Sequence, residues 1–260
     1  MNTPASDEVQ FERVGDHVAV VTLNRPAARN AVNGAVARTL ESFVAQIEAD
    51  KSIRVAVLAA AGTTFCAGVD LKAVAAGNIM EVARPKTGFA GFVYAPKSKP
   101  WIAAVQGPAM GGGVELALSC DLVVAGEAAS FAFPEVKRGL IAGAAGAYRI
   151  TRCLSRPLAI EMIVTGEPLG AKRAYEVGLV NRVTTQGAER EEALKIATLI
   201  AANSPVSVRE SLRVTRYASD LCEAEIRAVQ DDAVAKVLSS SDYQEGAKAF
   251  VERRQPVWSS

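Results

Sequence analysis

Histidine is nearly absent: His17 is the only one in 260 residues. A Ser-His-Asp or Cys-His nucleophile would have to be built on it, yet it opens an apolar, β-branched run and no GxSxG turn occurs. It reads as a strand-edge histidine. A histidine metal site is excluded by count, and the four cysteines (Cys66, Cys120, Cys153, Cys222) lie far apart with no CxxC pair. That usage fits reduced thiols in a cytoplasmic protein, most of them packing residues. Excess charge is lacking too. Lys and Arg total 29, Asp and Glu 28, a net +1, so there is no basic surplus to draw nucleic acid or an anionic membrane. No stretch reaches the ~20 uncharged apolar residues of a membrane span. The N-terminal MNTPASDEVQFERVGD has neither the basic nor the apolar region of a secretory signal. The one glycine run, in GPAMGGG, lacks the GK[ST] of a Walker loop and the spacing of GxGxxG, which sets aside a nucleotide-dependent oxidoreductase.

Half of the residues are hydrophobic, enough for one large domain or a core with an appendage. Strands are expected at His17 to Leu23, Ile53 to Ala59, Trp101 to Val105, Leu122 to Ala125, Ser130 to Phe133 and Leu179 to Val183. Val36, Leu40, Phe43, Val44 and Ile47 recur at helical spacing, a helix follows Gly112, and Pro157 suits the first turn of another. From about Ala188 the pattern is helical only: 188–203, 206–219, 222–239 and 242–253. The fold class is therefore α/β with an all-α tail, and a doubly wound parallel sheet is one candidate. Residues 74–98 have little period and are expected as a mobile loop or short helices over a ligand cleft.

With histidine and metal chemistry excluded, carboxylates and backbone amides remain. Two segments present both: TTFCAGVDLKAV (63–74), with Asp70 opening a helical stretch, and GPAMGGGVELALSCDLVVAG (107–126). Glycine lets backbone approach a ligand closely, and a helix start favours negative charge. Two such amides converging on one oxygen would polarise a carbonyl. Glu115 stands in the first turn after the glycines, and Glu135 follows SFAFP. Each has a plain alternative: Glu115 as a helix-start acid, worth ~0.3–1 kcal/mol against the dipole, and Glu135 as a turn acid paired with Lys137 or Arg138. Apolar flanks weigh against both, and two carboxylates sharing an apolar site separate into one that holds a proton and one that stays ionised. Gly143, Gly146 and their alanine neighbours resemble a close-packed helix start at least as well as a phosphate loop.

At NRPAARNAV (24–32), FCAGVDLK (65–72), KPWIAAVQGPAMGGGVELALSCDLVVAG (99–126), ASFAFPEVKRGLIAG (129–143), MIVTGEPLGAKRAYEVGLVNRV (162–183) and GAKAFVERRQP (246–256) the chain resembles the crotonase, or enoyl-CoA hydratase/isomerase, superfamily. The resemblance implies a spiral core of ββα units over about residues 1–200, and a C-terminal helical region, 201–260, that builds a homotrimer or a dimer of trimers. It implies an acyl-CoA thioester as partner and no separate cofactor, since coenzyme A is part of the substrate. By the same resemblance the amides of Ala67 and Gly112 form an oxyanion hole. Glu115 activates water for attack at Cβ, and Glu135 delivers a proton to Cα. Ala28, Asn30, Cys66, Gly68, Asp70, Gly111, Pro134 and Gly143 fall where substrate and CoA are held, with Arg253 or Arg254 a candidate for the CoA phosphates.

Three positions depart from the usual pattern: Gln106 replaces Asn before Gly107, Ala142 replaces Pro before Gly143, and the following segment reads AGAAGAYR. They fall near the expected acyl pocket. GFAGF (88–92) and FPEVKRGL (133–140) look most like the branch that includes carnitinyl-CoA dehydratases. Hydration of a 2-enoyl-CoA is the leading reading. An isomerase, a specialised dehydratase and a silent acyl-CoA-binding scaffold are the alternatives, and the presence of both Glu115 and Glu135 argues for water chemistry.

Overall fold

The computed structural model describes residues 7–75, 77 and 79–259. The first six residues of the polar N-terminal stretch, and positions 76 and 78 of the aperiodic segment, lie outside the described residues. The chain opens with a strand missed in the sequence, β1 (Val9–Val14), antiparallel to β2 (Val18–Leu23). Its polar residues alternate with Val9 and Phe11, so only one face is sheltered. A 3₁₀ turn at Pro26–Ala28 leads to α1 (Gly34–Ala49), capped by the Asn33 side chain, which accepts from Val36 N–H at 2.8 Å. Val36, Leu40, Val44 and Ile47 form its buried stripe. β3 (Val55–Ala60) follows, then α2 (Leu71–Ala75), α3 (Ile79–Val82) and a small hairpin of β4 (Ala83–Arg84) and β5 (Gly88–Phe89). Next come β6 (Trp101–Val105), β7 (Ala109–Met110), α4 (Gly112–Ala117), β8 (Leu122–Gly126) and β9 (Ser130–Ala132). A 3₁₀ turn (Pro134–Arg138), α5 (Gly146–Cys153) and α6 (Arg156–Thr165, with Pro157 in its first turn) precede β10 (Leu169–Gly170), α7 (Ala171–Glu176) and β11 (Arg182–Thr184). The tail is α8 (Glu189–Ala201), α9 (Pro205–Tyr217), α10 (Glu223–Leu238) and α11 (Ser241–Glu252).

The main sheet runs β1-β2-β3-β6-β8-β11, parallel after the first pair. Its order rises steadily along the chain and never reverses, which rules out a doubly wound sheet, whose strand order must reverse. The strands left over, β7, β9 and β10, form a second small sheet. From β6 onward each turn of the spiral thus gives one strand to the main sheet and another to the side wall.

Alternation along the strands divides the core. Ala19, Val21, Ala56, Leu58, Ala103 and Val105 face α1 and the side wall, while Val18, Val20, Val55, Val57, Ile102 and Ala104 face α8. Helix α8 meets the sheet through Ala193, Ala197 and Ala201, a stripe at i, i+4, i+8 that lets it lie close. It therefore packs as part of the sheet core. Helix α9 is tied back by Arg216, which pairs with Asp121 at 2.7 Å and donates to the carbonyls of Lys97 and Lys99.

Of the two forms expected for residues 74–98, a mobile loop or short helices, the short helix is found in α3, and the segment is held along much of its length. Arg38–Glu81 and Arg84–Glu41 bind it to α1, Thr87 donates to Glu41, and Phe89, Ala90, Phe92 and Val93 are buried. The cysteines also differ from expectation. Cys66 is buried and Cys120 half-buried, but Cys153 and Cys222 are exposed, and Cys222 caps α10. His17 is at a strand edge as expected, bonded through Nδ1 to the Ser52 carbonyl. Among the described residues no helix is long and apolar enough to cross a membrane.

Ala197 is fully buried against the sheet. Ala197→Leu should therefore overpack the α8 contact and lower stability by about 1–3 kcal/mol, seen as a lower midpoint in urea unfolding with no change of slope.

Candidate active site

The site begins with two backbone segments brought unusually close. Phe65 and Cys66 N–H donate to the Pro108 carbonyl, and Met110 N–H donates to Cys66 at 2.9 Å. A Cβ on Gly113 would stand 2.2 Å from the Cys66 carbonyl oxygen, and one on Gly68 would stand 2.9 Å from Met110 O and 3.2 Å from Gly112 N. Gly68 and Gly111 also have φ of +87° and +53°, which L side chains rarely adopt. The glycines are there because side chains would push α4 off the Phe65–Gly68 segment.

This contact sets which amides are free. Ala67 N–H donates to the Arg29 carbonyl at 3.0 Å, so it is not available to a ligand. The reading of Ala67 as an oxyanion donor is corrected on that ground. Two residues on, Val32 N–H bonds Gly68 O and Asp70 N–H bonds Val32 O, which leaves Val69 N–H on the opposite edge with no partner among the described residues. Gly112 N–H, first in α4, is likewise unpartnered there. Val69 follows Gly68, whose Cα lies against Gly112, so these two free amides are neighbours.

The two carboxylates flank the same place. Glu115 is 3% exposed, and its Oε1 accepts from Gly146 N–H at 2.9 Å. Burial raises its pKa, with the Glu135 carboxylate adding to this and the Gly146 and Ala144 amides and Arg149 opposing it; the result is about 7. Glu135 comes from the 3₁₀ turn after β9, and a Cβ on Gly111 would lie 2.6 Å from its Oε1. Its Oε2 is buried without a hydrogen-bond partner among the described residues, and burial raises its pKa. An unpartnered buried oxygen favours the protonated form. The arrangement offers two carboxyls, both with raised pKa and Glu115 poised near neutrality, and two free amides beside them.

Comparison with known proteins shows the family. The family model described as enoyl-CoA hydratase/isomerase matches residues 13–260. The chain belongs to the enoyl-CoA hydratase/isomerase family. It is 37% identical to the mevalonyl-coenzyme A hydratase of Aspergillus fumigatus over 99% of this chain and 98% of that one. To the carnitinyl-CoA dehydratase of Citrobacter koseri it is 35% identical, over 97% and 98%. The crystal structure of an enoyl-CoA hydratase from Mycobacterium tuberculosis H37Rv superposes with a TM-score of 0.94 at 41% identity, covering 98% of this chain and 99% of that one.

Other residues expected in the family site divide into those at the cleft and those behind it. Gly68, Gly111 and Gly112 line the approach described above. Cys66 is fully buried, and its thiol is pushed up to about 12 by burial, so it is inert packing beneath the site. Asn30 is 1% exposed and spends its amide on structure: Nδ2 donates to Ala61 O and Thr64 O, and Oδ1 accepts from Arg25 N–H. Its expected contact with substrate is corrected to a brace. Asp70 pairs with Arg25 at 3.1 Å. Ala28 closes the 3₁₀ turn whose next residue, Arg29, holds Ala67. Pro134 starts the turn carrying Glu135, and Gly143 is exposed in the loop before α5. Arg254 is taken up by Glu245 and Glu252 at 2.5 and 2.7 Å, which counts against it as a phosphate ligand; Arg253 is an exposed helix cap in the left-handed region.

Gln106, noted only as a departure from the family pattern, proves to be the second brace. It is 6% exposed, and its Nε2 donates to the carbonyls of Ala60, Gly62 and Thr64. Asn30 and Gln106 share Thr64 O and together hold the loop that delivers Phe65 to Val69. Several site residues gave no local signal. The Phe89 ring covers Gly112, where a Cβ would meet it at 2.5 Å, and Phe133 stands equally close to Gly146. Gly146 does open a close-packed helix, and Ala145 before it is held at φ 80° to aim that amide at Glu115.

A Cβ on Gly146 would meet Phe133 at 2.5 Å and Glu115 Oε1 at 2.9 Å. Gly146→Ala should displace Glu115 and lower turnover by about 100-fold, with a folded circular dichroism spectrum retained. The raised pKa of Glu115 also has a sign for stability. The folded state holds this proton more tightly than the unfolded one, so its contribution is full below pH 4.5 and lost as pH rises through about 7. Glu115→Gln should therefore gain on the order of 2–3 kcal/mol relative to wild type between pH 4.5 and pH 8, measured by denaturant unfolding at both pH values.

Proposed function

We propose that this family member catalyses the reversible addition of water across the double bond of a 2-enoyl-CoA thioester. The observation that carries this reading is the pair of carboxylates, buried Glu115 and half-buried Glu135 with its Oε2 shut off from solvent, next to two unpartnered amides. In the proposed reaction the thioester carbonyl accepts from Val69 and Gly112 N–H. Ionised Glu115 takes a proton from water as its oxygen bonds to Cβ. The π electrons move toward the thioester oxygen, where the two amides stabilise the enolate-like charge. Protonated Glu135 then delivers its proton to Cα, giving the 3-hydroxyacyl-CoA. Dehydration runs the same steps backward.

An isomerase needs one acid/base group to carry a proton between two carbons. Here a second carboxyl, half-buried Glu135, has its own place, which favours water chemistry. The segments at Ala28, Cys66 to Gly68 and Gly111 supply the wall along which the thioester and pantetheine would lie. Assembly into a homotrimer through the C-terminal helices belongs to the same reading and is supported by Phe250 and Val251, which are 87% and 80% exposed in the single chain.

Incubation with crotonyl-CoA, followed by loss of the conjugated thioester absorbance and a gain of one water by mass spectrometry, tests the activity. Glu115→Gln and Glu135→Gln should each lower kcat by about 10²–10⁴-fold while still binding acyl-CoA. Normal turnover in either variant sinks the two-carboxyl assignment. Because Glu115 must be ionised, kcat/KM in the hydration direction should rise as pH passes through about 7.

A further inference from the structure

One cluster beside Glu115 is not used by the chemistry above. Helix α5 begins with the Gly146 amide that holds Glu115 and continues with Tyr148, Arg149 and Arg152. Tyr94 arrives from the segment after β5, its ring packed on Gly88, where a Cβ would stand 2.3 Å from it. Its phenol is pushed above its ordinary pKa, first by the Tyr148 hydroxyl and then by burial, with a further contribution from Glu115 and an opposing one from Arg149. The two phenols and Arg149 are therefore neighbours of one another and of Glu115, and both phenols are donors at neutral pH. Tyr94 and Tyr148 are 46% and 45% exposed, so they form the rim and not the core.

The charges in this cluster are unevenly satisfied. Arg152 lies over the Tyr148 ring at 5.2 Å and is paired with Asp220 at 2.7 Å. Arg149 lies over the Tyr94 ring at 5.6 Å, but its Nη1 and Nη2 donate to neutral oxygens, Ser119 Oγ and Val93 O. Among the described residues it has no carboxylate ion-pair partner. A guanidinium has five N–H donors, so two neutral acceptors leave both charge and hydrogen-bonding capacity unspent.

We propose that Tyr94, Tyr148 and Arg149 form a subsite for the far end of the acyl chain, and that the acyl group taken by this protein ends in a carboxylate. This rests on the hydratase reading above. A methyl-ended chain would cover two phenols and a guanidinium and give them no acceptor in return. A quaternary ammonium would find both tyrosine rings already faced by arginines, and a like charge beside them. A hydroxyl end would satisfy the phenols but give the Arg149 guanidinium, whose nearest named carboxylate is Glu115, only a further neutral acceptor.

The test uses the full-length protein with four 2-enoyl-CoA thioesters of matched chain length, ending in a methyl, a hydroxyl, a carboxylate or a trimethylammonium group. The carboxylate-ended thioester should exceed the methyl-ended one in kcat/KM by about tenfold or more. Tyr94→Phe and Tyr148→Phe should each shrink that ratio several-fold through KM, with kcat little involved in the change. Equal efficiency toward methyl and carboxylate ends overturns the subsite, as does preference for the hydroxyl or trimethylammonium end or a ratio unmoved by both substitutions. If none of the four thioesters is hydrated, the hydratase reading fails separately. The subsite is then judged by calorimetric binding of saturated carboxylate-ended and methyl-ended acyl-CoA, where tighter binding of the former supports it and equal binding overturns it.

Discussion

The contact between the Phe65–Gly68 segment and the Ala109–Gly113 segment is the constraint on which the site depends. Gly113 sits where any Cβ would be 2.2 Å from the Cys66 carbonyl, so the helix carrying Glu115 can reach this position only on glycine. The conformational freedom that those glycines lose on folding is a cost to stability. It is offset by the buried side chains on either side: Phe65, Cys66, Ala109, Val114 and Leu116 are all 0% exposed. The same contact decides that Val69 and Gly112, and not Ala67, keep unpartnered amides.

Placing Glu115 there creates an electrostatic conflict that the surroundings only partly relieve. Burial and Glu135 drive its pKa up, while Gly146 N–H and Arg149 hold it down. A balance near neutrality would suit the acid/base role proposed for Glu115. It also explains a strained backbone: Ala145, at φ 80°, carries a conformation an alanine disfavours so that the following amide can face the carboxylate. Arg149 reaches Glu115 by a second route, since Ser119 Oγ accepts from Arg149 and donates to the Glu115 carbonyl oxygen at 2.6 Å.

Side-chain amides do comparable work behind the site. A loop between a buried strand and a ligand wall has carbonyls that must be paired or solvated. Asn30 and Gln106 pair those of Ala60, Ala61, Gly62 and Thr64 from opposite sides. The Gln106 position therefore bears on the rigidity of the Phe65–Val69 segment.

Periodicity and punctuation in the sequence determined most of the elements: the stripe of α1, the apolar strands β2, β3, β6 and β8, and the tail of helices. Glycine next to a carboxylate was enough to single out Glu115, because a buried charge on an apolar helix is expensive without a use. Composition alone excluded histidine nucleophiles. Strand β1 escaped notice because an edge strand buries only one face and its charged residues mask the alternation. The spiral, rather than a doubly wound sheet, was decided only by strand order, which local pattern does not encode. Tertiary structure alone showed that Ala67 N–H is already bonded, that Asn30 is turned inward, and that Phe133, Tyr94 and Arg149 meet around Glu115. Sequence dictates what a residue can do locally, through its backbone preference and its hydrophobicity. Which donors remain free, and which charges share a desolvated space, depends on partners distant in the chain, such as Arg29 for Ala67 and Gly146 for Glu115, and those are settled by the packing of the whole spiral.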